Sequence, residues 1–352
     1  MTEQKFVQFP KILTIVYLLA AIGPMLQISG GHWDVTWHAL NRPETFFTPP
    51  HSVVYLGVLL SIAMGALGAI LRIKHKHKIE YVRFFHYALI GSGLQLFAGG
   101  FDLWWHNNFG FDGLLSPPHL ILVIGMVINS FAPFAGLVKI ARIVNLTSAL
   151  KVASIISLGA LWMSSIGMVM MFTLPFSRGQ YFDFNPDPLI GAAAATIAMP
   201  LLGSLMIIIA HRTLSIKFPV TTLTSLYIFV NGMTTVIAHY GIAPAMPYYI
   251  LTIIPAIVVD LALRSKLANK IKTSLAGMIF APFFYMLYFP LVPHAFRGAL
   301  GIPVEMQVTT INLFLATYQT VFIFTIVPAV VMGLLGSIMA RIIIDKVNEV
   351  IV

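Results

Sequence analysis

Two stretches decide how this chain is read: "DVTWHALNRPETFFTPPH", Asp34 to His51, and "DLWWHNNFGFDGLLSPPH", Asp102 to His119. They align without a gap at an offset of 68 residues. Asp34 falls on Asp102, Trp37 on Trp105, His38 on His106, Pro49-Pro50 on Pro117-Pro118, His51 on His119 and Gly57 on Gly125, while Thr48 becomes Ser116. Each copy follows one plan. A helix carries Asp and His four residues apart, hence on one face. A loop turns the chain. Pro-Pro then opens the next helix, where a missing N–H costs nothing, and the last His sits in its first turn. A repeat of this length is a helical hairpin, out and back, and it brings one carboxylate and two imidazoles together from adjacent helices.

The surroundings are those of a membrane. The chain has 352 residues, 58% hydrophobic and 9% charged, against roughly 25% charged in soluble domains. Apolar runs near spanning length fall at about 12–29, 52–72, 84–104, 119–138, 150–172, 189–210, 219–238, 248–263, 273–291 and 308–340. An all-α integral membrane protein of about ten transmembrane helices is expected. The runs do not alternate, so strands are not. The N-terminal run has no small-residue cleavage site after it and reads as an uncleaved first helix. Residues 1–145 form a duplicated hairpin region, with repeats at about 20–72 and 88–140, and 146–352 add further transmembrane helices of unassigned role.

Basic residues set the orientation. "RIKHKHKIEYVR", "KIARIVNLTSALK", "HRTLSIK" and "RSKLANKIK" occupy one set of connections, while the other set holds only Arg42, Arg178 and Arg297. The positive-inside rule puts both termini and the basic loops in the cytoplasm. The chain then belongs to the cell membrane as a multi-pass protein, with both motifs near the extracytoplasmic face. The net charge of +9 is topology signal and lipid-surface contact, so the expected partner is membrane lipid and not nucleic acid. Cysteine is absent, which excludes disulfides and thiolate metal ligands.

Asp and His near a membrane are costly and are paired or functional. Repeated in register, Asp34, His38, His51 and Asp102, His106, His119 are candidate metal ligands, and a hydrogen-bonded structural lock is the competing reading. One carboxylate with two imidazoles suits copper, zinc or iron(II). Trp33, Trp37, Trp104 and Trp105 read as an interfacial belt and packing shell. His32 is expected to support the first site from behind its ligands, His86 to be a packed or hydrogen-bonded core histidine, and Asp260 to pair with Arg264 at i+4. His75 and His77 belong to a solvated basic loop. "MSSIGMVMMF" reads as a packing stripe. The loop "TLPFSRGQYFDFNPDPL" is a decayed third copy, with Asp187 at the place of His119 but Met170 and Leu174 where the Asp/His pair would stand.

At these residues the chain resembles the membrane C subunit of the copper membrane monooxygenases, the particulate methane and ammonia monooxygenases. That subunit carries an Asp, a His four later and a His thirteen after that, followed by a second His-containing hairpin of near-identical spacing. The resemblance covers about residues 10–140, including the loop "ETFFTPPH". The family usually has Asn where this chain has Asp102, so the second site gains a negative charge. The resemblance implies copper, dioxygen, a small substrate such as ammonia, methane or a short hydrocarbon, and partner membrane subunits; a homo-oligomer is the other expected assembly. No haem, flavin or nicotinamide motif is present, so electrons would come from outside the chain. The alternative function is a non-catalytic metal-binding, metal-handling or assembly protein of the membrane.

Overall fold

The computed structural model describes residues 11–39, 42–43, 45–74, 82–110, 114–142, 144–173, 188–238, 243, 246–286 and 322–349. The expectations for His75, His77, Asp187 and both chain ends, and those for Arg178 and Arg297, lie outside the described residues. Within them every regular element is helical: α1 (Lys11–Ala39), α2 (Pro49–Lys74), α3 (Phe85–Phe109), α4 (Pro117–Ile140), α5 (Ser148–Met171), α6 (Pro188–Thr213), α7 (Pro219–Ala238), α8 (Met246–Leu251), α9 (Ile253–Leu263), α10 (Asn269–Met286) and α11 (Phe322–Glu349).

Seven of the described helices are long and apolar enough to cross a membrane: α1, α2, α4, α5, α6, α7 and α11. This is the architecture of a multi-pass membrane protein, with fewer qualifying helices than the ten expected runs. Two of the three remaining runs fall short for local causes, and the third, 273–291, extends past the described residues. α3 has 25 residues, but Gln95, Asp102, His106, Asn107 and Asn108 dilute its apolar character. The run at 248–263 divides between α8 and α9 at Thr252. Pro255 has no N–H for the Leu251 carbonyl, and its ring crowds that carbonyl, so a continuous helix is broken there.

The first four helices form a ring: α1 packs on α2, α2 on α3, α3 on α4 and α4 on α1. Shifting by 68 residues exchanges α1 with α3 and α2 with α4, and it maps this ring onto itself. The two hairpins are therefore parallel repeats related by a pseudo-twofold axis running along the helices. Within each hairpin the helices cross at paired glycines. A Cβ on Gly57 would meet the Gly23 carbonyl at 2.6 Å, and one on Gly125 the Gly91 carbonyl at 2.7 Å. Lipid tails are as apolar as leucine, so close backbone packing of this kind holds membrane helices together. α1 also packs against α5 and α7, and these lead to a second group in which α10 and α11 pack on each other and on α6. The main apolar core runs through both groups around Trp162, Tyr227, Phe280 and Phe284.

Asp260 departs from its expected pairing. It is buried in α9 and caps the start of α7: Oδ1 accepts from Val220 N at 3.2 Å, and Oδ2 accepts from Thr221 N and Thr221 Oγ1, both at 2.7 Å. Arg264 instead donates to the Lys217 carbonyl and lies 3.8 Å above the Phe218 ring. The unpaired N–H groups and positive end of a helix N-terminus are the stronger attraction for a buried carboxylate. His86 is likewise not a core residue: it is exposed near the start of α3, with its ring 4.0 Å from that of Tyr87 and Nδ1 against the Arg83 carbonyl.

Candidate metal centres

Both expected ligand sets converge. Asp34, His38 and His51 form one group, and Asp102, His106 and His119 the other, with the ligand atoms of each group within 4.8 Å of one another. α1 presents Asp34 and His38 one turn apart and α2 presents His51 from its first turn; α3 and α4 repeat this with Asp102, His106 and His119. Asp34 Oδ1 lies 3.2 Å from His51 Nε2, and Asp34 Oδ2 lies 3.6 Å from His38 Nε2. Asp102 Oδ1 lies 3.3 Å from His106 Nε2 and 3.2 Å from His119 Nε2. All six side chains are part-buried, at 16–23% exposed, open enough for an ion and a small molecule to reach them.

The far side of the rings indicates what the near side is built for. His51 Nδ1 lies 3.2 Å from the Thr45 carbonyl, and His106 Nδ1 lies 3.0 Å from the Gly110 carbonyl. A carbonyl oxygen only accepts, so each Nδ1 carries its proton. In a neutral ring the Nε2 lone pair then faces a carboxylate oxygen, and two acceptors oppose each other at 3.2–3.3 Å. A cation between them resolves the repulsion, and so does a proton on Nε2. Asp34 Oδ1 and Asp102 Oδ1 are both buried. In the second site the proton solution needs one imidazolium, His106, on Asp102, because the Ser116 hydroxyl can donate to His119 Nδ1 and leave a neutral ring with its proton on Nε2. A divalent cation uses all three donors at once. Anchoring Nδ1 so that Nε2 is free for metal is also how ligating histidines are normally oriented.

The two sites are held differently. Gly110 ends α3 at φ 72°, a left-handed conformation that suits glycine, and this aims its carbonyl at His106. Ser116 Oγ lies 2.8 Å from His119 Nδ1. At the matching place in the first copy Thr48 does not contact His51, which turns to Thr45 instead. Ser116→Ala is therefore expected to weaken metal binding at the second site alone by roughly 10-fold or more. Competitive titration with a chelator, against Thr48→Ala as the control, checks this; equal effects on both sites would contradict it.

Around the first site Phe46, Phe47 and Tyr55 form an aromatic cluster, with Tyr55 OH donating to the Phe46 carbonyl at 3.0 Å. Trp33 and Trp37 meet edge to face, and Trp37 Nε1 donates to the Pro43 carbonyl. Trp105 is buried between Phe101 and Phe109, while Trp104 is half exposed, as a packing shell and an outer belt require. His32 does not support the first site. Two residues before Asp34, it faces the other side of α1 and hydrogen-bonds Asn231 of α7.

The residues overlooked in the sequence lie deeper. Gln27, Ser61, Gln95 and Asn129 form a buried hydrogen-bonded cluster between the hairpins. Gln27 and Gln95 keep the 68-residue offset, as do Ser61 and Asn129; extending the repeat inward would have found them. Comparison with protein-family models, with curated proteins and with solved structures finds no match for this chain.

Proposed function

We propose that the protein is a membrane metalloprotein that binds one metal ion at Asp34, His38 and His51 and a second at Asp102, His106 and His119, and that it acts as an oxygen-dependent oxidoreductase on a small substrate. The observation carrying this reading is the convergence of one carboxylate and two imidazoles, built twice in register. Copper is the metal of choice by resemblance to the copper membrane monooxygenases; zinc and iron fit the same donors.

The residues divide the work. Each aspartate offsets the charge of a divalent ion. Thr45, Gly110 and Ser116 fix the ring orientations, so the Nε2 atoms stay aimed at one point. Phe46, Phe47, Tyr55 and Trp105 keep the neighbourhood poor in water. A bound redox metal would supply dioxygen activation: one oxygen atom enters the substrate, the other leaves as water, and two electrons and two protons come from a donor outside the chain.

The orientation fits this reading. Arg72 and Lys74 close α2, Lys139 closes α4, Arg212 closes α6 and Lys346 lies in the last turn of α11. Arg212 and Asp345 pair at 3.0 Å, so the ends of α6 and α11 meet. The two sites sit at the opposite ends of their helices. A cytoplasmic basic face, and metal sites near the extracytoplasmic face of the cell membrane, follow from the positive-inside rule. Copper-loaded protein in native lipid is expected to form hydroxylated product from ammonia, methane or a short alkane, with an external reductant and in proportion to oxygen consumed. Tight metal binding without oxygen-dependent product, across these substrates and with partner membrane fractions added back, would reduce the reading to metal binding alone.

A further inference from the structure

The centre of the four-helix ring is polar. Gln95 Nε2 donates to Gln27 Oε1 across the pseudo-twofold axis at 3.0 Å, and Asn129 Nδ2 donates to the same oxygen at 3.3 Å. Gln27 Nε2 donates to Ser61 Oγ at 2.9 Å, and Asn129 Nδ2 to Ser92 Oγ at 3.2 Å. All five residues are at most 3% exposed.

The cluster is built in duplicate by glycines. A Cβ on Gly57 would lie 2.8 Å from Gln27 Cγ, and one on Gly125 lies 2.7 Å from Gln95 Cγ. A Cβ on Gly23 would lie 2.6 Å from Ser61 Oγ, and one on Gly91 lies 2.6 Å from Asn129 Oδ1. Each polar side chain thus occupies space that a glycine on the partner helix leaves open, in both copies.

The hydrogen bonding, unlike the backbone, is lopsided. Gln27 Oε1 receives two donors. Its counterpart, Gln95 Oε1, is buried and receives none. A buried amide oxygen without a donor is destabilising, and the more so where no water can wet the backbone. The cluster has no formal charge, so a cation there would be unbalanced, whereas a neutral donor would not. Interfaces between parallel repeats, near mid-membrane, are also where membrane proteins hold small polar ligands. Gln27 lies seven residues inward of Asp34, about 10 Å along α1, so this position is separate from both metal centres.

We infer that the pseudo-twofold axis carries a third binding site, for a water-sized neutral hydrogen-bond donor held on Gln95 Oε1 between the two hairpins. Water itself is the probe. The full chain in lipid nanodiscs is expected to show a density peak about 2.7–3.0 Å from Gln95 Oε1 in a map that resolves water elsewhere, and the peak disappears in Gln95→Met. Thermal stability reads both ends of the Gln95 amide, because Gln95→Met also removes the Nε2 donor from Gln27 Oε1. With the site filled, Gln95→Met strips a satisfied acceptor and lowers the unfolding temperature. With the site empty, the lost Nε2 bond is set against relief of an orphan acceptor, and the temperature falls by less than in Gln27→Met. Gln27→Met, which deprives both Gln95 and Asn129 of an acceptor, is expected to be destabilising either way and calibrates the assay. An empty position in the map, or a Gln95→Met chain as stable as wild type or more so, overturns the inference.

Discussion

Replacing His38 and His51 together with alanine is expected to remove one of two bound metal equivalents and leave the other in place. The same pair of changes at His106 and His119 should remove the complementary one. Each site is built within a single hairpin, from Asp34, His38 and His51 or from Asp102, His106 and His119. Neither borrows a ligand from the other. Removing two imidazoles from a three-ligand set leaves one carboxylate, which alone holds a divalent ion weakly, so the loss at the mutated site should be complete at micromolar metal. The chain should still fold: the four histidines are part-buried, and the hairpins are held by Gly23 against Gly57 and Gly91 against Gly125. Circular dichroism of both variants checks folding, and metal analysis checks stoichiometry. Loss of both equivalents from either double variant would show the two groups to be one centre.

The largest effect on stability is expected far from the metal. α10 and α11 meet where Gly277 faces Gly333, and a Cβ on Gly277 would lie 1.9 Å from Ser337 Oγ, 2.5 Å from the Gly333 carbonyl and 2.6 Å from Ser204 Oγ. Ser204 donates to the Gly333 carbonyl and lies 3.0 Å from Ser337 Oγ, which ties α6 into the same crossing. A valine at 277 must force two backbones apart and break this hydroxyl pair. Overpacking costs about 1–3 kcal/mol, and a stranded buried hydroxyl about 1–3 kcal/mol more. Gly277→Val is therefore expected to lower the unfolding temperature by about 3–8 °C. Gly100→Val is the control, because a Cβ there meets nothing within 4 Å. Equal melting temperatures for the two variants would remove the α10–α11 crossing from the account of stability.

The ligand sets were legible because their chemistry is local. Asp and His four apart on a helix, and Pro-Pro ahead of a His, fix residues and backbone together, and the 68-residue offset tests each copy against the other. The rest of the repeat was harder to see. Gln27 and Gln95 are identical across it, but Ser61 stands opposite Asn129, and nothing in an isolated Gln marks it as buried among glycines. Apolar runs located the helices, and seven of the described ones are long and apolar enough to cross a membrane. Gln95, Asp102 and His106 lower the hydropathy of α3 because its polar residues face the ring interior and the metal centre. Pro255 splits one run into two helices. Asp260 was misassigned because i+4 spacing pointed to Arg264, while its partners, Val220 and Thr221, lie on another helix about 40 residues away. Copper, dioxygen and the small substrate rest on resemblance over the first 140 or so residues.

The measurement that tests the central claim most directly is metal content per chain, by mass spectrometry, of full-length protein gently solubilised from membranes and again after loading with copper, zinc or iron(II). The account predicts about two equivalents per chain, one for each Asp/His/His group. A chain that retains no metal under any of these conditions, with the histidines protonated and locked to Asp34 and Asp102, would contradict it.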